Sequence, residues 1–368
     1  MQKIIFLILI FVFSFNILAQ DKKNDDEDVL RIDTQIVDVP LMVLDKLGKP
    51  VLNLKKTNFA VYEDGVKQEI YDFSATNAPF EVALLLDTSG STRNDLQLIQ
   101  KSAESFIQSL RVGDKVSIIA FNSKVKDGKT TAVSEVLINL TDDRTKLKEA
   151  LSKVTMSNGT PYYQGLSQVL ETVFANKPQD QFRGRRALVA LTDGVDSASN
   201  VDFDDLRDSF QKAGIVCYFI RVDTRMFFEE TLLGDCEDEG TVRFSKSQIQ
   251  RFYRVFYPTE KLEKVFDFCK IGDFERLDMS KRLYQLADSQ MNWLSKISGG
   301  KVFEVSLLRE ANSAFQKVAQ EIGTKYSLGY YSSNEKRDGT YRKIRVELKG
   351  LANGTQLRAR EGYTAPKN

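Results

Sequence analysis

Apolar residues in the middle of the chain fall into two alternating patterns. Residues 82–86, 116–121, 187–191 and 215–220 are short, nearly unbroken apolar runs. Strands covered on both faces read this way. Residues 133–140 read as one more strand, at an edge. Between the runs, apolar positions recur at helical spacing. Leu96, Ile99, Ala103, Phe106, Ile107 and Leu110 form one stripe, and Leu147, Ala150, Leu151 and Val154 a second. Tyr163, Leu166, Val169, Leu170, Val173 and Phe174 form a third. Phe203, Leu206, Phe210 and Ala213 form a fourth, stopped by Gly214. Later, Leu283, Leu286, Leu294 and Ile297 predict a helix closed by Gly299-Gly300. A short strand over 302–305 follows, and Leu308, Ala311, Phe315, Val318 and Ile322 mark a last helix. Strands separated by helices predict a doubly wound, mostly parallel α/β sheet.

The two flanks carry a different period. Val37, Val39, Leu41 and Val43 alternate with other residues, and Gly48-Lys49-Pro50 and Asp64-Gly65 are turn signals on either side of Phe59 and Val61. After Tyr326 the alternation returns in Tyr326/Leu328/Tyr330 and Ile344/Val346/Leu348, with Leu357 and Ala359 closing it. Each flank is too short for a good sandwich alone. The expected architecture therefore inserts the α/β domain between two β segments that pair as one sandwich. The expected division is 1–19 leader, 20–28 acidic linker, 29–78 N-terminal β segment, 79–224 and 281–322 α/β domain, 225–280 insertion, and 323–368 C-terminal β segment.

Residues 1–19 have the layout of a secretory signal peptide: Lys3, an apolar run over 4–13, and a more polar exit to Ala19. The run falls short of the roughly 20 apolar residues a spanning helix needs. Export is expected, to a bacterial periplasm, cell surface or medium, with no membrane insertion after cleavage. The full chain has 52 Lys+Arg and 51 Asp+Glu. Cleavage removes one lysine and no acid, so the mature charges balance. That argues against a nucleic-acid binder or a polybasic membrane-surface protein. In an oxidising compartment, Cys236 and Cys269 are the expected disulfide pair and Cys217 a buried free thiol. Cys236 and Cys269 lie in the aromatic-rich insertion, whose acids, Glu229, Glu230 and Glu237, are candidates to border a site on the same sheet edge.

No histidine occurs among the 368 residues. Ser-His-Asp and Cys-His catalysis and His-ligated metals are thereby excluded. What stands out instead is a set of oxygen donors. Asp87-Thr88-Ser89-Gly90-Ser91 follows the first buried strand, Thr160 precedes a helix, and Asp193 ends the third buried strand. Ligands of open α/β sheets bind beyond the carboxyl ends of the strands. Hard oxygen donors there suit Mg²⁺, Mn²⁺ or Ca²⁺. Alone, the Asp-x-Ser-x-Ser segment is no more than a helix cap; the placement of all three loops is what adds meaning.

The set resembles the von Willebrand factor type A domain and its metal-ion-dependent adhesion site. The matching positions are Asp87, Ser89, Ser91, Thr160 and Asp193, over about 79–224 and 281–322. The flanks, with 58–65, 326–331 and 360–363 as their clearest segments, look like exported bacterial proteins related to that domain, first described from acidobacteria. The insertion departs from the family's compact pattern. The resemblance implies a divalent cation, Mg²⁺ foremost, that accepts an Asp or Glu from a protein partner. It implies a binding module for adhesion or envelope scaffolding, not an enzyme. A metal-dependent hydrolase and a structural subunit of a larger envelope assembly are the alternatives. A hydrolase would need a base to activate water, and no carboxylate pair supplies one at a recognisable spacing.

Overall fold

The computed structural model describes residues 36–74, 78–90, 96–126, 128–233, 243–259 and 267–367. Its centre is a six-stranded sheet: β5 (Glu81–Leu86), β6 (Lys115–Lys126), β7 (Lys129–Thr141), β8 (Arg186–Thr192), β9 (Val216–Val222) and β10 (Lys301–Val305), in the order β10-β9-β8-β5-β6-β7. All neighbours are parallel except β6 and β7. The edge strand is therefore antiparallel to an otherwise parallel sheet.

The unbroken apolar runs follow from coverage on both faces. Val82, Leu84 and Leu86 pack under α1 (Leu96–Ser109), α2 (Arg144–Ser152) and α8 (Ala311–Gly323), where the Phe106 and Phe315 rings lie 5.2 Å apart. Ala83 and Leu85 point the other way. They pack under α3 (Tyr162–Gln168), α4 (Phe203–Ala213) and α7 (Asp273–Ser298). Strand alternation divides each run between two cores. The third predicted helical stripe is α3 followed by a π turn over Val169–Val173.

The flanks form two further four-stranded antiparallel sheets. One has the order β13-β1-β11-β4, from β1 (Ile36–Leu44), β4 (Ile70–Ser74), β11 (Tyr326–Tyr331) and β13 (Gln356–Ala359). The other has the order β14-β12-β2-β3, from β2 (Phe59–Glu63), β3 (Val66–Gln68), β12 (Tyr341–Leu348) and β14 (Gly362–Thr364). Each sheet mixes strands from both flanks, and Val39, Leu41, Phe59, Val61, Leu328 and Ile344 share one core between them. The expected sandwich is present.

The insertion runs on into the helices of the α/β domain. It contributes α5 (Arg225–Leu232) and α6 (Lys246–Phe256), and its last residues open α7, one 26-residue helix. The expected boundary at 280/281 falls inside that helix. Leu232, Phe244, Ile249, Phe252 and Phe268 pack on Met279, Leu283 and Ala287 of α7 and on Val195 of the α/β domain. Its aromatics are thus a local core. Cys217 is the free thiol among the described cysteines and is buried; Cys236 lies outside the described residues, as does the predicted leader. No described helix is long and apolar enough to cross a membrane.

Two ionisable groups, the buried Lys325 and the half-buried Asp38, give the fold a pH signature. Lys325 is fully buried and donates to the Gly299 carbonyl at 2.6 Å. Burial, helped by Arg358, pushes its amine down to about 7, against the pull of Glu321. Burial pushes the Asp38 carboxyl up to about 7, against Arg183 and Arg360. Asp38 holds its proton more tightly in the folded chain. Its contribution is complete below its ordinary value of 3.8 and is lost as pH rises to about 7. Lys325 holds its proton less tightly, so its burden is complete below about 7 and lifts toward 10.5. Together they predict stability that falls from pH 4 to 7 and rises from 7 to 10. Urea midpoints across that range test this. Asp38→Asn should flatten the falling arm and Lys325→Met the rising one; variants that leave both arms intact would contradict the assignment.

Candidate functional site

The site sits where the strand order reverses. From β5 the chain moves outward through β6 and β7, then returns to place β8 on the other side of β5. Such a switch leaves a crevice at the carboxyl edge. The ladder between β5 and β8 runs one residue past the strand, with the Asp87 N–H donating to the Leu191 carbonyl at 2.9 Å. That bond brings the loops after β5 and β8 side by side.

The Asp87 carboxylate is held from both loops. One oxygen accepts the Ser89 N–H at 3.0 Å and the other accepts the Thr192 hydroxyl at 2.7 Å. The Thr192 oxygen in turn accepts the Gly194 N–H at 2.9 Å. Gly194 has φ +75°, and a Cβ there would press on Met291. Thr88 faces away, donating to the Phe121 carbonyl at 2.5 Å, while its own carbonyl accepts the Ser157 N–H at 2.9 Å. That last bond draws in the loop that carries Thr160.

Asp193 is fixed on both oxygens. One accepts the Val195 N–H at 2.9 Å and the other the Thr224 hydroxyl at 2.5 Å. Tyr284 Oη lies 2.8 Å from the same Thr224 oxygen. Thr160 is paired with Ser197 in both directions: its N–H donates to Ser197 Oγ at 2.7 Å, and its carbonyl accepts the Ser197 N–H at 2.9 Å. Helix α3 has no side-chain cap of its own at Pro161. Its first amides are met from the loop after β8, with Asp196 accepting from Tyr163 N–H at 3.0 Å and Ser199 from Gln164 N–H at 2.9 Å. Unpaired amides at a helix start need such partners.

Four predicted donors, Asp87, Ser89, Thr160 and Asp193, are therefore buried on loops that hydrogen bonds tie to one another. Ser91 lies outside the described residues. Burial is the chief reason the Asp87 carboxyl is pushed up; the Asp196 charge adds to it, and hydrogen bonds from Ser89 and Thr192 oppose it. Asp87 has no Lys or Arg ion partner among the described residues. The donor chemistry suits a hard cation: two carboxylates with hydroxyl oxygens, and no thiolate or imidazole. No cluster of three His, Cys, Asp or Glu that could hold a metal exists among the described residues.

Sequence reasoning missed the support of this site. Asp196 and Ser197 continue the Thr192-Asp193-Gly194 motif and were open to discovery from it. Thr224, Arg251 and Tyr284 carry no local signal, because they arrive from 31 to 91 residues beyond Asp193. The insertion does border the loops, through Ser245 and Arg251. Glu229 pairs with Arg225 at 3.7 Å, and Glu237 is outside the described residues.

Residues 82–195 match the family model of the von Willebrand factor type A domain, a family that commonly mediates protein–protein interaction and is typically non-enzymatic. Among solved structures, a von Willebrand factor type A protein from Catenulispora acidiphila is 11% identical, with a TM-score of 0.42, over 91% of this chain and 75% of that one. Proximal thread matrix protein 1 from the mussel byssus is 13% identical, with a TM-score of 0.40, over 78% of this chain and 49% of that one. The pilus adhesin SpaC from Lactobacillus rhamnosus GG, in its open conformation, is 10% identical, with a TM-score of 0.40, over 86% of this chain and 49% of that one. The chain thus spans about half the length of the last two. No curated protein matches significantly.

Proposed function

We propose that the chain is an exported, metal-dependent protein-binding module. Asp87, Ser89, Thr160 and Asp193, with Ser91 from the same motif, would hold a divalent cation, Mg²⁺ foremost and Mn²⁺ or Ca²⁺ by the same donors. The observation that carries this reading is the burial of those oxygen donors on interlocked loops at the sheet's switch point. A cation bound there supplies a positive centre that can accept a carboxylate from a partner's Asp or Glu. The chain's own residues set how that happens. Thr192 and Ser89 hold the Asp87 carboxylate in one orientation, and Val195 and Thr224 do the same for Asp193. Oxygens oriented beforehand lose little freedom on binding.

Recognition is favoured over hydrolysis by the groups around the site. Burial holds the Tyr284 hydroxyl well above its ordinary value and pushes Tyr163 up to about 12, so neither is available as a base near neutrality. Export rests on the leader-like residues 1–19, and adhesion or envelope scaffolding is the role such a module would serve.

The test is thermal unfolding of the wild-type chain and the Asp87→Ala variant, each with Mg²⁺ and with chelator. The wild type should gain about 2.7 kcal/mol at 100 times its dissociation constant, and the variant nothing. Indifference of the wild type to Mg²⁺, Mn²⁺ and Ca²⁺ would remove the site assignment. Capture of an envelope protein that needs both the cation and Asp87 would then place recognition ahead of catalysis.

A further inference from the structure

The insertion makes polar contacts with the loop after β8, the one that carries Asp193. Arg251, on α6, is almost fully buried, and its guanidinium meets the fully buried carboxylate of Asp196 at 2.9 Å and the Asp196 carbonyl at 3.1 Å. It lies over the Tyr163 ring, 4.8 Å from the centroid, and reaches Asp202 at 3.4 Å. Ser245, which caps α6 by accepting the Gln248 N–H, also donates to the Ser197 carbonyl at 2.6 Å. Residues 196, 197 and 199 are the ones that satisfy the amides of Thr160, Tyr163 and Gln164.

These contacts form one chain of support. From Arg251 the chain passes to Asp196, then to the first turn of α3, and so to Thr160. From Ser245 it passes to Ser197, which bonds Thr160 on both backbone groups. We propose that Arg251 is a positioning residue of the metal site, and that the insertion's role is to hold the Thr160 and Asp193 loops in their binding arrangement. The inference rests on the metal-site reading above and extends it to a helix outside the matched family segment of 82–195.

The physical case is one of cost. A carboxylate fully removed from water is tolerable only when paired and hydrogen-bonded. Asp196 receives a bidentate-capable guanidinium and two backbone amides, from Tyr163 and Ser199. Without Arg251 its charge is left uncompensated, and the cheapest relief is for the loop to turn outward to solvent. Thr160 would move with it through Ser197. Residues that orient metal ligands from behind typically change metal affinity by about 10–100-fold when removed.

The probe is Mn²⁺ alone, titrated calorimetrically into the full chain, with amide hydrogen exchange on the metal-free chain as a second readout. Arg251→Met should weaken Mn²⁺ binding about 10–100-fold. It should also speed exchange at 160–164 and 193–199 while β5, β6 and β8 keep their protection. Arg251→Lys, which keeps a charge for Asp196 but loses the fork, should fall between. If Arg251→Met fails to fold, Arg251→Lys replaces it, with a smaller loss of Mn²⁺ affinity in the same direction. Wild-type Mn²⁺ affinity in the Arg251 variants, beside lost binding in Asp87→Ala, overturns the inference and spares the site. Accelerated exchange spread evenly over the chain also overturns it, as the mark of a merely structural role. A wild-type chain that ignores Mn²⁺ overturns both.

Discussion

Glu63→Ala should lower the unfolding free energy by about 3–5 kcal/mol, the usual cost of removing one partner from a buried ion pair. Glu63 is 2% exposed and its carboxylate accepts four hydrogen bonds. Tyr330 and Tyr363 donate to one oxygen at 2.7 and 3.0 Å, and Ser332 and Arg342 to the other at 2.5 and 3.2 Å. Arg342 is as deeply buried. Burial, reinforced by Glu63, pushes Tyr330 up and carries Tyr363 to about 12, so both keep the protons they donate. Alanine would leave a guanidinium and two phenols in the sandwich with no carboxylate. Glu63→Gln preserves the shape and should cost less, though its amide N–H₂ must face donors. Urea unfolding of the three chains measures this; an alanine variant within about 1 kcal/mol of wild type would show that Glu63 does not organise the sandwich.

That carboxylate also marks the limit of what the pattern of residues discloses. Glu63 stands directly before Asp64-Gly65 and reads as part of an exposed turn. Its burial follows from the pairing of β2 with β12, whose residues lie about 280 positions away. Runs such as 82–86 and 187–191 were legible because two helical layers make every position apolar, and Gly214 and Gly299 were legible as stops because each helix ends in the left-handed region, at φ +65° and +72°. The alternation at Val37, Val39, Leu41 and Val43 disclosed a half-buried strand but not its partners, β11 and β13. The start of α7 was misplaced for a related reason. Its first turns bury Arg276, Met279 and Ser280, a mixture without a clear apolar stripe, against a core drawn from elsewhere in the insertion. For the candidate site, the proposed donors stand out in the sequence because each follows a strand or precedes a helix. Their supports do not, since Thr224, Arg251 and Tyr284 matter only through contacts that folding creates.

Gly300→Ala should be the most damaging single methyl in the α/β domain. The added Cβ would lie 1.9 Å from the Cys217 carbonyl oxygen and 2.7 Å from its carbon. Neither atom can retreat. Cys217 lies in β9, which is laddered to β8 on one side and to β10 on the other, and its N–H is held by Ser298 Oγ at 2.9 Å. Overpacking of a core commonly costs about 1–3 kcal/mol where side chains can yield. Here the obstacle is backbone in a central strand, so at least about 3 kcal/mol is expected, or failure to fold. Gly272→Ala is the control: nothing lies within 4 Å of its Cβ, and exchanging glycine for alanine at a helix start should cost no more than about 1 kcal/mol. Chemical denaturation of both variants decides, and a Gly300→Ala chain as stable as the control would show that α7 and β9 can separate at little cost. The close approach matters beyond stability, because α7 carries Tyr284 beside Thr224 near its middle and, just past its last residue, the Gly299 carbonyl that receives Lys325. A methyl that lifts this helix from β9 should therefore loosen the support of Asp193 and expose the buried lysine together.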